Sequence, residues 1–186
     1  MEQGIYATVV TNNDELQQIA ALSKSNNTTL LSATEKARDG FLTWSYDTAT
    51  LQRLHHISPS VIVKDGDTVA GYAIVLTKEG ATVYPPLQAM LAHLEQIEYE
   101  GKTLNDYHFY VMGQVCVHPD YRGKGVFQLL YEHHRTLFAQ QYDFLVTEIS
   151  VHNHRSLRAH QRTGFRTIHT YKDELSTWDV VIWDWA

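Results

Sequence analysis

One stretch limits what this chain can fold into more than any other. Residues Phe109 to Val117 form a long β-rich run. His118-Pro119-Asp120 stops it, and Arg122-Gly123-Lys124-Gly125 leads into apolar positions at helical spacing, Val126, Leu129, Leu130, Leu137 and Phe138. The pattern predicts strand, tight loop and helix, with the helix running to about Gln140. Glycines at 123 and 125 remove two side chains where backbone must approach a ligand. The first N–H groups of a helix have no partner within it, and the helix dipole favours an anion there. Arg122 and Lys124 add full positive charges. Together these features make a seat for phosphate. The loop lacks the GxxxxGK[ST] spacing of a Walker loop, and Val126-Phe127-Gln128 does not complete a GxGxxG dinucleotide fingerprint.

The rest of the chain surrounds this unit with short elements. Ile5 to Val10 reads as a first strand. Thr11-Asn12-Asn13-Asp14 offers caps for a helix that presents Leu16, Ile19, Ala20 and Leu22 on one face. Ala33 to Arg38 and Asp47 to His56 read as helical, with Phe41 to Tyr46 extended between them. Val61-Ile62-Val63, the turn Lys64-Asp65-Gly66-Asp67, and Val69 to Leu76 form an antiparallel hairpin. Residues of about 83–106, with Pro85-Pro86 and an apolar helical face, read as an insertion in a single domain spanning 1–186. Phe144 to Val151 is a further strand. Asn153 to Arg162 is a short helix ended by Gly164, and 165–171 with 178–183 forms a closing hairpin.

Bulk composition excludes several classes. The 186 residues suit one domain, 44% apolar and 19% charged. A net charge of -6 argues against a nucleic-acid partner, which needs a basic face. No apolar run is long enough to span a membrane, and Met1 to Gly4 does not read as the start of a secretory signal. Cys116 has no second cysteine to pair with, which fits a cytoplasmic setting. Eleven histidines contain no HExxH and no Cys/His cluster, so no metal is expected.

A second motif follows at a fixed distance. Asn153 lies twenty-eight residues beyond Gly125, followed by Ser156, Ala159, Gly164 and Phe165. With these in place the sequence resembles the GNAT superfamily of N-acetyltransferases. VCVHPDYRGKGVFQLLYEHH is similar to that family's acetyl-CoA-binding motif, and TEISVHNHRSLRAHQRTGFR to the strand and helix after it. The resemblance is sharp over about 109–167. It implies an α/β (α+β) fold: a mixed, mostly antiparallel sheet of about six to seven strands, flanked by helices and splayed between the fourth and fifth, 109–117 and 144–151. Acetyl-CoA would be the co-substrate. Val115, Cys116 and Val117 would meet its pantetheine and acyl end. Arg122, Gly123, Lys124, Gly125, Val126 and Phe127 would hold the pyrophosphate, and Asn153 and Ser156 would lie beside the cofactor. The activity implied is transfer of an acetyl group to an amine-bearing acceptor by direct attack.

Two positions depart from the family pattern. Phe127 stands where Gly or Ala is usual, and a ring turned inward would crowd the pyrophosphate. His160 stands where many relatives have a tyrosine proposed to protonate the departing thiolate. Imidazolium titrates near neutral pH, so His160 is the candidate acid. Glu148, on the fifth strand with Val146 and Ser150 on its face, is the candidate base. Tyr110 and Gln114 are fallbacks for holding a proton-carrying water. Trp44, Tyr46, Tyr84, Tyr107 and Tyr110 are candidates for an acceptor pocket. A buried Cys116 is expected to be inert. The missing tyrosine also leaves room for an acyl-CoA-binding sensor without turnover. The apolar C-terminal strand offers an edge for a homodimer.

Overall fold

The computed structural model describes residues 4–186, so Met1, Glu2 and Gln3, part of the start read above as no signal, lie outside the described residues. The chain runs β1 (Tyr6–Val9), α1 (Asn13–Ser25), α2 (Ala33–Asp39), α3 (Thr48–Ile57), β2 (Val61–Asp65) and β3 (Thr68–Leu76). Then come α4 (Pro85–Leu94) and a small hairpin, β4 (Glu98–Tyr99) with β5 (Lys102–Thr103). The second half holds β6 (Phe109–Val117), α5 (Val126–Phe138), β7 (Phe144–Ser150), α6 (His154–Thr163), β8 (Arg166–Lys172) and β9 (Thr177–Trp183).

Local chemistry sets the helix starts. Asn12 and Glu15 close a capping box on α1, and Ser32 with Glu35 does the same for α2. Asp47 caps α3 through the Thr50 N–H. The run 41–46 forms no strand. It touches the rest of the backbone through one bridge, Asn27 to Leu42.

Among the described residues seven strands form one sheet in the order β1-β2-β3-β6-β7-β9-β8. All neighbours are antiparallel except β6 and β7. That parallel ladder has three rungs, Phe109 to Phe144, Tyr110 to Leu145 and Val111 to Val146. Beyond them β6 stays with β3, β7 stays with β9, and the two strands part. The expected splay is therefore present, between the fourth and fifth strands of the main sheet. Pairing of Ala73 with Val115 but Val75 with Met112 places one extra residue in β6 at 113–114. Such a bulge bends the strand beside the opening.

Two apolar layers cover the sheet. On one face α1, α3 and α4 pack over Ile62, Ile74, Leu76, Val111, Val146 and Val180. On the other α5 and α6 pack over Val63, Ala73, Met112, Leu145, Ile149 and Val181. Burying each such aliphatic side chain is worth roughly 1.5–3 kcal/mol. In α5 the inward face differs from the apolar pattern: Tyr131 and His134 are buried, while Leu129, Leu137 and Phe138 are only half-buried. A hydrogen bond explains His134, whose Nδ1 lies 2.8 Å from the Tyr110 hydroxyl. The C-terminal strand β9 sits between β7 and β8, so both its edges are taken and it offers none for a dimer.

Candidate active site

The parting of β6 and β7 opens a cleft of about 810 Å³. Met112 to Val117 form one wall and Thr147 to Ser150 the other. The first turn of α5 and one side of α6 close it on one face of the sheet. Trp44 and the β8–β9 end, with Tyr171, Asp173 and Trp178, line it on the other, and residues 39–41 reach it beside Arg122 and Asn153.

The glycine loop behaves as its sequence requires. Gly123 and Gly125 have φ of 76° and 79°, the left-handed region where a Cβ is strained. Gly125 is the N-cap of α5, and no side chain caps this end. Gly123, Gly125, Val126 and Phe127 all line the cleft, so the orphan N–H groups of the α5 start lie at its wall. The side chains divide. Arg122 lines the cleft, with Nη1 2.9 Å from Asp39 Oδ1 and Nη2 donating to Asn26 Oδ1 at 3.2 Å. Lys124 lies over the Tyr121 ring, Nζ 5.1 Å from its centroid. The Phe127 ring reaches toward α6, 4.8 Å from Tyr131 and 5.2 Å from His160 by centroid.

Asn153 is the N-cap of α6. Its Oδ1 accepts from the Ser156 N–H, and its Nδ2 donates to the Phe41 carbonyl at 2.9 Å. His160 is 1% exposed. Its Nδ1 lies 2.8 Å from the Ser156 carbonyl, which can only accept, so Nδ1 carries the proton. Bare Nε2 then accepts from the Tyr131 hydroxyl at 2.7 Å. Burial pushes the His160 pKa down to about 4. The ring is neutral near pH 7, so its surroundings do not suit an imidazolium acid.

On β7, Glu148 shares its sheet face with Val146, under the layer built by α1, α3 and α4. That is the face away from α5 and α6. Its Oε1 is buried with no hydrogen-bond partner, and it lines the cleft. Burial raises its pKa to about 7. The Tyr171 hydroxyl works the other way, and the Asp173 charge adds to the rise. A carboxylate poised there can take a proton at neutral pH.

The Acetyltransferase (GNAT) family model matches residues 30–165, most of the chain. The chain belongs to the GNAT acetyltransferase family. Its fold is that of solved GNAT structures. Salmonella typhimurium yncA, solved with acetyl-CoA, matches with TM-score 0.63 and 16% identity over 99% of this chain and 95% of that one. Arabidopsis thaliana NAA60, in complex with acetyl-CoA, gives 0.63 and 11% over 97% and 99%. The ribosomal-protein-S18-alanine N-acetyltransferase from Escherichia coli gives 0.58 and 12% over 96% and 90%. No curated protein sequence matches the chain.

Within this GNAT domain, Val115, Cys116, Val117, Arg122, Gly123, Gly125, Val126, Phe127, Glu148, Asn153, Ser156 and His160 line a single cleft. Lys124 is not among its lining residues. Of the five aromatics named for an acceptor pocket, only Trp44 reaches it. Tyr46 and Tyr84 stack on each other in the core at 4.9 Å, and Tyr107 packs against Phe144. Tyr110 lies under α5 against His134, on the wrong side to hold a water for the acceptor. Gln114 lines the cleft, where Oε1 accepts from Ser23 and Tyr72 and Nε2 donates one N–H to the Trp44 carbonyl. Sequence reasoning missed Asn26, Asp39, Tyr131, Tyr171 and Asp173. Tyr131 stands in the first motif but was given no role there, and only the fold brings the other four to the cleft. Among the described residues no group of three or more His, Cys, Asp or Glu could hold a metal. No described helix is long and apolar enough to cross a membrane.

Two expected results test these local assignments. Burial pushes the Cys116 thiol up to about 12, which keeps it protonated and a poor nucleophile. Cys116→Ala is therefore expected to retain turnover within about twofold, measured by free-thiol release from the acyl donor. Tyr131→Phe strands the His160 Nε2 in a dry site. It is expected to lower unfolding free energy by about 1–3 kcal/mol in a urea titration, with little change in donor affinity. Lost turnover at unchanged stability would instead put Tyr131 in the chemistry.

Proposed function

We propose that this chain is an acetyl-CoA-dependent N-acetyltransferase acting by direct attack of a primary amine on the thioester. The single observation that carries the reading is the cleft at the splay. One wall offers the uncapped N–H groups of the α5 start, and the far wall holds a buried carboxylate of raised pKa. The α5 start and Arg122 suit the donor diphosphate. Val115 and Val117 lie on the α5 side of β6, where a pantetheine arm would run, with Asn153 and Ser156 beside it.

The acceptor enters from the other face. There Glu148, Asp173, Trp44, Tyr171 and Trp178 give a cleft end that is both acidic and aromatic, suited to an amine that arrives charged. Glu148 takes the amine proton, directly or through one water. The free amine attacks the carbonyl carbon, and a β6 backbone N–H near the bulge stabilises the oxyanion. The tetrahedral intermediate collapses with loss of CoA thiolate, and the proton still on the attacking nitrogen passes to that thiolate or to water, leaving a neutral amide. A thiol of ordinary pKa leaves without an obligatory acid, which fits a neutral His160. On this reading His160 holds the Tyr131 hydroxyl and shapes the donor wall. It does not deliver the proton.

Calorimetry with acetyl-CoA, followed by thiol release with a panel of peptide, polyamine and amino-acid amines, tests the proposal. The expected result is micromolar donor binding and turnover of at least one amine. The neutral His160 favours a second reading, an acyl-CoA sensor. Donor binding with no thiol release from any amine would select it. Absence of donor binding would overturn both.

A further inference from the structure

The segment Arg38 to Phe41, at the end of α2, is tied to the donor side of the cleft by three side chains. Arg122 reaches Asp39 Oδ1 at 2.9 Å. Asn153 Nδ2 donates to the Phe41 carbonyl at 2.9 Å. Arg155 Nη1 donates to the Arg38 carbonyl at 3.0 Å. Gly40 lets the segment lie flat there: its φ is +75°, and a Cβ would come within 2.9 Å of Asn153 Oδ1. Two of the three side chains, Arg122 and Asn153, are ones assigned above to the donor.

Asp39 is a carboxylate inside the zone assigned to a diphosphate. It has a second partner. Arg38 grips it in a bidentate pair, Nε to Oδ1 at 3.0 Å and Nη2 to Oδ2 at 2.6 Å. Arg38 first, then Arg122, holds the Asp39 carboxyl below its usual range. If Arg122 turned to another anion, Asp39 would keep Arg38 and no charge would be stranded. Arg122 also has a polar neighbour, Asn26, that can follow or release it.

We propose that Asp39 is a positioning residue of the donor site: it holds the Arg122 guanidinium across the cleft until the donor diphosphate takes that guanidinium in exchange. The proposal rests on the acetyl-CoA reading above. The exchange is specific for the phosphorylated end of the donor, because the thioester and pantetheine lie farther along the splay. Asp39 thereby lowers affinity for any diphosphate-bearing ligand and leaves ligands without one untouched. It also makes donor binding loosen the 38–41 segment, which continues into Trp44 on the acceptor side.

The test compares Asp39→Asn with the unmutated protein by calorimetry, using CoA and S-acetyl-pantetheine, which lacks the diphosphate. The Asp39→Asn protein is expected to bind CoA about two- to fivefold more tightly, the scale of one partly exposed ion pair. Its affinity for S-acetyl-pantetheine should not change. Equal or weaker CoA binding overturns the proposal, and so does an equal gain for both ligands, which would mean general loosening. In the unmutated protein, the Arg122 side-chain N–H resonance should shift on adding CoA but not S-acetyl-pantetheine. A resonance indifferent to CoA that nonetheless binds also overturns it. If CoA gives no heat with either protein, the donor reading itself fails, a result distinct from equal binding to both.

Discussion

Glu148→Gln is expected to lower kcat/KM by about 10²–10⁴-fold, the usual range for loss of a general base, while CoA affinity stays within about twofold. The side chain keeps its size and loses only its proton-accepting charge. The pH profile gives the sharper signature. With a pKa raised to about 7, the carboxyl is protonated and idle below that value and ionised above it. For an acceptor amine of low pKa, kcat/KM should climb with pH up to about 7 and then level off, and the glutamine protein should lack that step. Stability moves in the opposite sense. The folded pKa lies above the ordinary glutamate value of 4.5, so the neutral acid is the form the fold prefers. Its favourable contribution is complete below about pH 4.5 and fades as pH rises through 7. Glu148→Gln is therefore expected to be more stable than the unmutated protein at pH 8, by on the order of 1–3 kcal/mol of unfolding free energy in a urea titration, with the gap closing by pH 4.5. A glutamine protein with full turnover would remove Glu148 from the mechanism.

Gly125→Val is expected to weaken CoA binding by about ten- to a hundredfold, the equivalent of roughly 1–3 kcal/mol. Residue 125 sits at φ +79° and caps α5 with no side-chain partner. A β-branched residue cannot hold that conformation without strain, and relief of the strain rotates the N–H groups that face the cleft. Most of the fold should be spared, since Gly125 is exposed and a Cβ there meets nothing within 4 Å. Calorimetry with CoA and circular dichroism separate the two effects. Unchanged affinity would show that the α5 start is not the diphosphate seat.

The donor half of the site was legible in the sequence for a physical reason. A strand, a turn that needs positive φ and a helix start are consecutive in the chain, so their chemistry is written in one short run from Phe109 to Phe127. The Asn153 cap repeats the logic at the next strand–helix junction. Glu148 could be placed on β7, but its facing depended on which layer covers which side of the sheet. That follows from the strand order, which no single run encodes. Asp39 and Tyr131 show the same limit. Asp39 ends a seven-residue helix with no buried residue and meets Arg122 only because α2 folds back over the splay. Tyr131 was not among the positions predicted to face inward on α5, and the polar partner that lets it be buried, His160, lies on another helix. That 41–46 forms no strand has a related reason. Its course is set by side chains of distant elements, Asn27, Gln114 and Asn153, which bond its carbonyls or pair with it.

The three-rung ladder between β6 and β7 has a mechanical meaning. It divides the sheet into two antiparallel plates, β1-β2-β3-β6 and β7-β9-β8, joined along a spine only as long as Phe109 to Val111. Each plate carries its own dense hydrogen bonding, so each is stiff. Compliance gathers at the junction, and the plates can lean apart or together like the covers of a book. The residues that differ between donor and acceptor walls, Val115 on one cover and Glu148 on the other, lie past the end of the spine, where a small rotation becomes the largest change in gap.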